Sequence, residues 1–451
     1  MKQNRLTDGP IFRSLVLFSF PIIITNTVSI LFHAADVAVL AFFSSDADVA
    51  AVGACGSLIT LMVSLFTGLS AGANVLISKR VGAGDEPRTK RAVGTSLSIG
   101  FLAGIILMIV ALLFARSFLT LMNCQADVLD DATLYMKIYF LGSPIMMLNS
   151  FAVAGLRASG DSTRPMIYSM LSGIINVALN LLFVAVFDLT VAGVALATVC
   201  SSGVSLLLVL IRLFSGKGYC KAELKSLKIN KSDLSEIVKV GIPTCLASLS
   251  FFFANVILAS AVNSISTDAM TANAISGQFD GFIYTVGSAI AVAASVMVAQ
   301  NYGAQRLDRI KSAIRVGVLY ATVVSIILGV AFVFFAEPML RILSDSDNVI
   351  AIAKDRMTLL CLTYFVTSIM EVLAFSLRSI KRHKVTMVVG FICGFCIRCL
   401  WRYFVWPLNP TLSTLFACFA VSAFIAIVIY LSVYGNALKS LQREIDCKKL
   451  N

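Results

Sequence analysis

Twelve apolar stretches, each about as long as a helix needs to cross a bilayer, run through nearly the whole of this chain. They cover residues 14–42, 50–78, 92–115, 133–156, 165–187, 190–211, 236–262, 270–299, 312–336, 357–377, 385–406 and 412–434. Of the 451 residues, 58% are hydrophobic and only 13% charged, against roughly 25% charged in a soluble domain. Such an apolar surface needs lipid to cover it. Within lipid the backbone has to satisfy its own hydrogen bonds, so each stretch is expected to be a helix. The predicted fold class is an all-α integral membrane protein of twelve transmembrane helices. The first stretch has no small-residue cleavage site, so it is read as a span, not a removable signal.

The chain also says nearly the same thing twice, about 221 residues apart. Ser78-Lys79-Arg80-Val81-Gly82-Ala83 lines up with Ala299-Gln300-Asn301-Tyr302-Gly303-Ala304, and Leu156-Arg157-Ala158 with Leu377-Arg378-Ser379. With one residue of slip, Phe18-Ser19-Phe20-Pro21 meets Val240-Gly241-Ile242-Pro243. Six spans precede a basic linker and six follow it, so both halves enter the membrane from the same side. The repeat is parallel, about an axis normal to the bilayer. The expected organisation is an N-terminal six-helix lobe over 1–215, a cytoplasmic basic linker over 216–235, and a C-terminal six-helix lobe over 236–451. Pro21 and Pro243 are expected to bend the first span of each lobe. Gly68-x-x-x-Gly72 and the alanines at 289–294 are expected to allow close helix approach.

A net charge of +12 invites a nucleic-acid reading, but its distribution argues otherwise. With the N-terminus assigned to the cytoplasm, 29 of 36 Lys and Arg fall on that side, while the opposite connections carry Asp46, Asp48, Asp127, Asp130, Asp131, Asp188, Asp268, Asp345 and Asp347. This is the positive-inside pattern. Both termini are expected in the cytoplasm, with the bilayer as partner, no nucleic acid, and the chain acting as a monomer. Lys221, Lys225 and Lys228 fall at helical spacing in the linker, which reads as an interfacial helix drawn to anionic lipid.

Eleven cysteines scattered through spans and cytoplasmic segments disfavour a disulfide framework. Cys393-x-x-Cys396-x-x-Cys399 shares a helix face, but with no His or acid completing the set it reads as packing. Only His33 and His383 occur, little material for a zinc or di-iron enzyme. No metal, cofactor or catalytic residue is expected.

An ionisable residue inside a span is costly and therefore a functional candidate. Asp36 lies in the outer half of span one, with His33 three residues before it on the same face. A carboxylate in a low-dielectric cavity can take up and release a proton near neutral pH, so Asp36 is the candidate coupling residue. Asn176 and Asn180, four apart on span five, are placed to hydrogen-bond it or help hold a cation. His33, Tyr139 and Asn149 are candidate cavity-lining residues. In the second half Glu371 on span ten and Arg398 on span eleven form a second polar site, read either as a structural latch or as an acid that exchanges the arginine for an ion or cationic substrate. Tyr135, Met146, Met147, Phe279, Phe282 and Tyr284 could line an adaptable, aromatic and Met-rich cavity, but read as ordinary packing.

Pro21 in span one, the Ala34-Ala35-Asp36 element, the Gly82-Ala83-Gly84-Asp85 loop and Leu156-Arg157-Ala158-Ser159-Gly160-Asp161-Ser162-Thr163-Arg164-Pro165 together resemble the multidrug and toxic compound extrusion (MATE) family, and within it the bacterial DinF-like group. The likeness covers essentially the whole chain, and the Leu-Arg-x-x-Gly-Asp-x-x-x-Pro element is its most specific piece. It implies a V-shaped pair of lobes, alternating access, and export against inward proton or sodium flow in the bacterial inner membrane, with Asp36 as the cation-coupling acid. The chain departs from the DinF-like pattern at Asn180, where Asp is frequent. Unlike the sodium-coupled NorM-like members, it has no acid in span seven. Thr367 and Ser368 stand near the expected acid of span ten, with Glu371 one turn on. Leu377-Arg378-Ser379-Ile380-Lys381 lacks the glycine of its first-half counterpart.

The reading is a secondary active antiporter of small organic, often cationic or amphipathic compounds, exchanged for H⁺ through Asp36. A Na⁺-coupled exporter of the same family and a lipid-linked precursor flippase of the wider superfamily are the alternatives. A membrane-embedded enzyme is disfavoured by the scarcity of His and the lack of metal-ligand spacing.

Overall fold

In a computed structural model, residues 6–122, 124–216 and 220–450 are described, with no account of the side chains of 46 and 444–450. Within these residues the chain is helical throughout. The helices are α1 (Ile11–Phe43), α2 (Asp46–Ala83), α3 (Glu86–Leu121), α4 (Ala126–Leu141), α5 (Ser143–Ala158), α6 (Thr163–Asn180) and α7 (Thr190–Ser215). There follow α8 (Lys231–Asn263), α9 (Thr267–Gly303), α10 (Leu307–Phe334), α11 (Ala336–Arg341), α12 (Asp347–Ser379), α13 (His383–Phe391), α14 (Ile397–Leu400) and α15 (Leu412–Leu450). Eleven helical segments among the described residues are long and apolar enough to cross a membrane. The pair α4 and α5, bent by 46° at Gly142, makes twelve when counted as one span. Pro144 in the first turn of α5 explains the break, since it cannot donate to the preceding turn. α6 runs on as a π turn over Leu181–Val186, and two more π turns, Ile392–Cys396 and Trp401–Val405, flank α14.

Two compact units emerge, and their limits do not fall in the linker. One comprises Ile24–Gly241; the other joins Leu6–Ile23 to the residues from Ile242 onward. Each divide lies within three residues of the proline in a first span, Pro21 or Pro243. The start of α8 therefore packs in the first unit, where Gly72 of α2 approaches so closely that a Cβ there would sit 2.2 Å from the Ile237 carbonyl oxygen. The start of α1 packs in the second, with Leu15, Phe18 and Ile22 buried against α9, α10 and α12.

The same anchoring recurs in both units. At the end of α2, Arg80 pairs with Asp233 (2.5 Å), and Arg91 joins it at 3.1 Å. At the end of α9, Gln300 accepts from the Leu6 amide (2.9 Å), while Arg306 donates to the Thr7 carbonyl and to Asp8. The Arg306 guanidinium holds the Asp8 carboxyl below the usual carboxylate range.

The linker is not the expected interfacial helix. Lys217, Gly218 and Tyr219 lie outside the described residues, as does the tail 1–5. Beyond them only a single 3₁₀ turn forms, Leu224–Ser226. From Cys220 to Asn230 the chain is otherwise irregular and docked: Thr95 donates to the Lys228 carbonyl (3.0 Å), Lys90 pairs with Glu223 (2.9 Å), and Ala222 and Cys220 are buried, while Lys231 onward already belongs to α8. Backbone groups spent on α3 are unavailable to a helix. Gly94 permits this docking, since a Cβ there would meet the Ser226 carbonyl oxygen at 1.9 Å.

The most specific motif of the sequence is a turn. Gly160 takes φ +87° after α5, and Asp161 accepts from the Arg164 amide at 3.1 Å to start α6. Its second-half counterpart, which lacks glycine, keeps the conformation: Lys381 stands at φ +67°. The loop after α2 behaves alike, with Gly84 at φ +73° and its counterpart Gln305 at φ +57°. The repeat is therefore one of backbone turns, held even where the residue best suited to them is absent.

Candidate functional site

The first unit holds a cavity of about 190 Å³ whose wall includes Asp36, His33, Asn149 and Asn176. Its geometry begins at a close seam. Gly173 of α6 faces Phe32 of α1, and a Cβ there would fall inside the Phe32 ring edge, 1.6 Å from Cε2. One turn beyond Phe32 on α1 is Asp36, and one and two turns beyond Gly173 on α6 are Asn176 and Asn180. The contact at glycine therefore brings acid and amides together. Asp36 is 8% exposed and Asn180 fully buried.

Asn180 Nδ2 donates to Asp36 Oδ1 at 2.5 Å and reaches Asn176 Oδ1 at 3.4 Å. Asn176 Nδ2 donates in turn to Thr198 Oγ1 of α7 (3.5 Å). Asn180 Oδ1 is buried without a hydrogen-bond partner. Among the described residues no Lys or Arg pairs with Asp36; His33 Nδ1 lies 3.9 Å from it, on a side chain 64% exposed. The π turn begins directly after Asn180, the kind of helix irregularity that recurs at functional sites. Asp36, Asn176 and Asn180 thus come together, with His33 and Asn149 on the same wall. Tyr139 does not belong to that wall: it is buried in the core of the unit, stacked on Tyr135 at 6.0 Å.

The second unit is arranged differently from the expectation. Glu371 and Arg398 form no ion pair. Glu371 accepts a long hydrogen bond from Ser288 (3.5 Å), while the Arg398 guanidinium lies against Phe419 (3.9 Å to the ring centroid) and Phe251 (4.4 Å). Arg398 is buried, and its Nε and Nη1 have no partner. Ser368, near the position expected for an acid, instead shares a hydrogen bond with Ser325 at 2.7 Å.

A buried ion pair of this unit lies at two other residues. Asp280 of α9 and Arg356 of α12, both buried, meet at 3.2 Å. Arg356 also donates to Ser276 (2.8 Å) and lies 4.3 Å over the Phe416 ring, while Tyr364 donates to Asp280 (3.3 Å). The signal was present, since Asp280 interrupts the apolar stretch 270–299 just as Asp36 interrupts the first. Arg356 stands one residue before a predicted span, outside the apolar stretches where an ionisable residue draws notice. Among the described residues no three His, Cys, Asp or Glu side chains converge as a metal group.

Comparison with known proteins agrees with this architecture. The family model MatE matches residues 21–182 and again 243–404, one copy in each half. The "Probable multidrug resistance protein YoeA" of Bacillus subtilis is 26% identical over 376 residues, 82% of this chain and 81% of that protein. The multidrug export protein MepA of Staphylococcus aureus is 24% identical over 356 residues, 78% of this chain and 79% of its own length. Among solved structures, a MOP superfamily transporter from Pyrococcus furiosus superposes with a TM-score of 0.91 at 19% identity, covering 98% of this chain and 99% of that one. An outward-facing multidrug resistance MATE transporter gives 0.89 at 20% identity over the same shares.

Proposed function

The chain belongs to the MatE family of multi-pass membrane transporters, and from that premise we propose that it is a secondary active antiporter. It exports small organic compounds, often cationic or amphipathic, in exchange for H⁺ by alternating access. Relatives named for multidrug resistance and export support the substrate class. We place it in the bacterial cytoplasmic membrane, as a monomer with both termini in the cytoplasm.

One observation carries the coupling: Asp36 is a buried carboxylate on a cavity wall, hydrogen-bonded to Asn180 and, among the described residues, paired with no Lys or Arg. A buried acid without a cationic partner is expensive when charged, so it gains by taking up a proton or a cation. The amide beside it suits both states. As it stands, Asn180 donates to the charged carboxylate. Turned by half a rotation, it would present Oδ1, now unpartnered, to the hydroxyl of a protonated Asp36. Protonation would then rewrite the hydrogen bonds between α1 and α6, next to the π turn. A shift of that seam is the local event that alternating access would amplify.

Sodium is the second reading, favoured by the oxygen-only donor set of Asp36, Asn176, Asn180 and Thr198. The test reconstitutes the protein in proteoliposomes and imposes H⁺ and Na⁺ gradients separately while following an organic-cation dye. Export driven by the H⁺ gradient alone, and lost in Asp36→Asn, is expected. Export at the wild-type rate by Asp36→Asn would refute the coupling role, and drive by Na⁺ alone would replace H⁺ with the second reading.

A further inference from the structure

We propose that the cavity beside Asp36 is a socket for a primary ammonium or guanidinium group, selecting organic cations rich in N–H donors over quaternary cations of equal charge. This rests on the export reading above and names the chemistry its substrate presents.

The argument is a hydroxyl count. The cavity wall is built largely of Ser and Thr from α1, α6 and α7. Each hydroxyl has one proton to give and two lone pairs to receive. In five of the seven the proton is already committed. Ser29 donates to the Thr25 carbonyl (2.8 Å), Thr198 to Val194 (2.9 Å), Ser201 to Thr198 (3.1 Å) and Ser172 across to the Ser201 carbonyl (2.6 Å). Ser205 gives its proton to Asn149 Oδ1 at 3.4 Å. What these side chains still offer a guest is lone pairs. Together with the Asp36 carboxylate they make a surface that accepts hydrogen bonds and carries negative charge.

A quaternary ammonium needs a different host. It has no N–H to give, and proteins hold it by enclosing it in aromatic faces. This wall has rings only from Phe32 and the largely exposed His33. Size points the same way. At about 190 Å³ the cavity is below the roughly 300–1,000 Å³ of pockets that enclose a drug-sized molecule. It fits a charged arm of a substrate, with the body of the molecule outside.

The experiment measures calorimetric binding of two probes to the purified full-length protein in lipid nanodiscs. Benzylguanidinium and benzyltrimethylammonium share a ring and a charge and differ in N–H donors. The guanidinium is expected to bind about tenfold tighter or more, the scale of charge-assisted hydrogen bonds lost by its rival. In Ser201→Ala and in Ser205→Ala, each checked for an unchanged melting temperature, that ratio should fall severalfold. Equal binding of the two probes by the wild type, a preference for the quaternary probe, or a ratio unmoved in both variants would overturn the socket. Dye export under an H⁺ gradient, run in parallel, separates the two ideas. A ratio near one with Asp36-dependent export intact refutes the socket alone. A preserved ratio with export indifferent to Asp36→Asn refutes the coupling alone.

Discussion

Two buried arginines of the second unit show how much a partner decides. Arg356 neutralises Asp280 and donates to Ser276, so replacing it by Met strands a buried carboxylate. The expected cost is about 3–5 kcal/mol. Arg398 has no carboxylate to lose; its contacts are ring faces, and two of its nitrogens bond to nothing. Arg398→Met keeps the length and the apolar contacts while removing an uncompensated buried charge, so stability should hold or rise. Thermal unfolding in detergent compares them: a marked drop in Tm for Arg356→Met and none for Arg398→Met is expected, and the reverse order would contradict the pairing described. The same contrast shows what residue type reveals. An acid inside an apolar stretch is visible in the sequence, and Asp36 with amides four apart on another span was legible for that reason. Ion pairing between spans was not. Glu371 and Arg398 have complementary charge on neighbouring spans, but depth and side-chain direction decide contact, and neither is written in composition.

At the scale of elements, the spans were legible because lipid leaves the backbone no alternative to helix. Their irregularities were read less well. The bend between α4 and α5 has a chemical cause in Pro144, whereas the π turns after Asn180 and around Arg398 follow no residue type. The linker lysines have helical spacing, yet the segment docked on α3 forms only one 3₁₀ turn. The turns give the clearest physical lesson. Gln305 and Lys381 occupy left-handed conformations that their first-half counterparts fill with glycine, and a non-glycine residue there costs on the order of 1–3 kcal/mol. Gln305 is exposed, so Gln305→Gly removes strain without opening a cavity. Part of the gain is offset by the greater freedom of glycine in the unfolded chain. A net stabilisation of about 1 kcal/mol is expected, read as a higher Tm. A lower Tm would mean that the left-handed turn is not strained.

For the whole molecule, the duplication was legible as a repeated string, but the place where one compact unit gives way to the other was not. Sequence marks the linker as the natural divide; packing puts it beside Pro21 and Pro243, so that each first span begins in one unit and ends in the other. Contacts made by Leu6–Ile23 with α9 and by Asp233 with α2 are long-range, and no local pattern announces them. Charge placement is a different kind of global property, because it is fixed by the sequence and acts during insertion. Lys and Arg concentrate after α2, α7 and α9, at the helix ends opposite Asp127, Asp188, Asp268 and Asp345. Cationic connections stay on the cytoplasmic side, so the acidic ends should face outward. Single cysteines at positions 188 and 345 (D188C, D345C) should therefore react in intact cells with a membrane-impermeant maleimide, above the background of the parent chain. Cysteines at 88 and 308 (R88C, D308C) should react only after the membrane is opened. The opposite pattern at all four positions would invert the orientation. It would also reverse the direction of export and the sign of the driving gradient, so this measurement fixes the frame in which every transport assay above is interpreted.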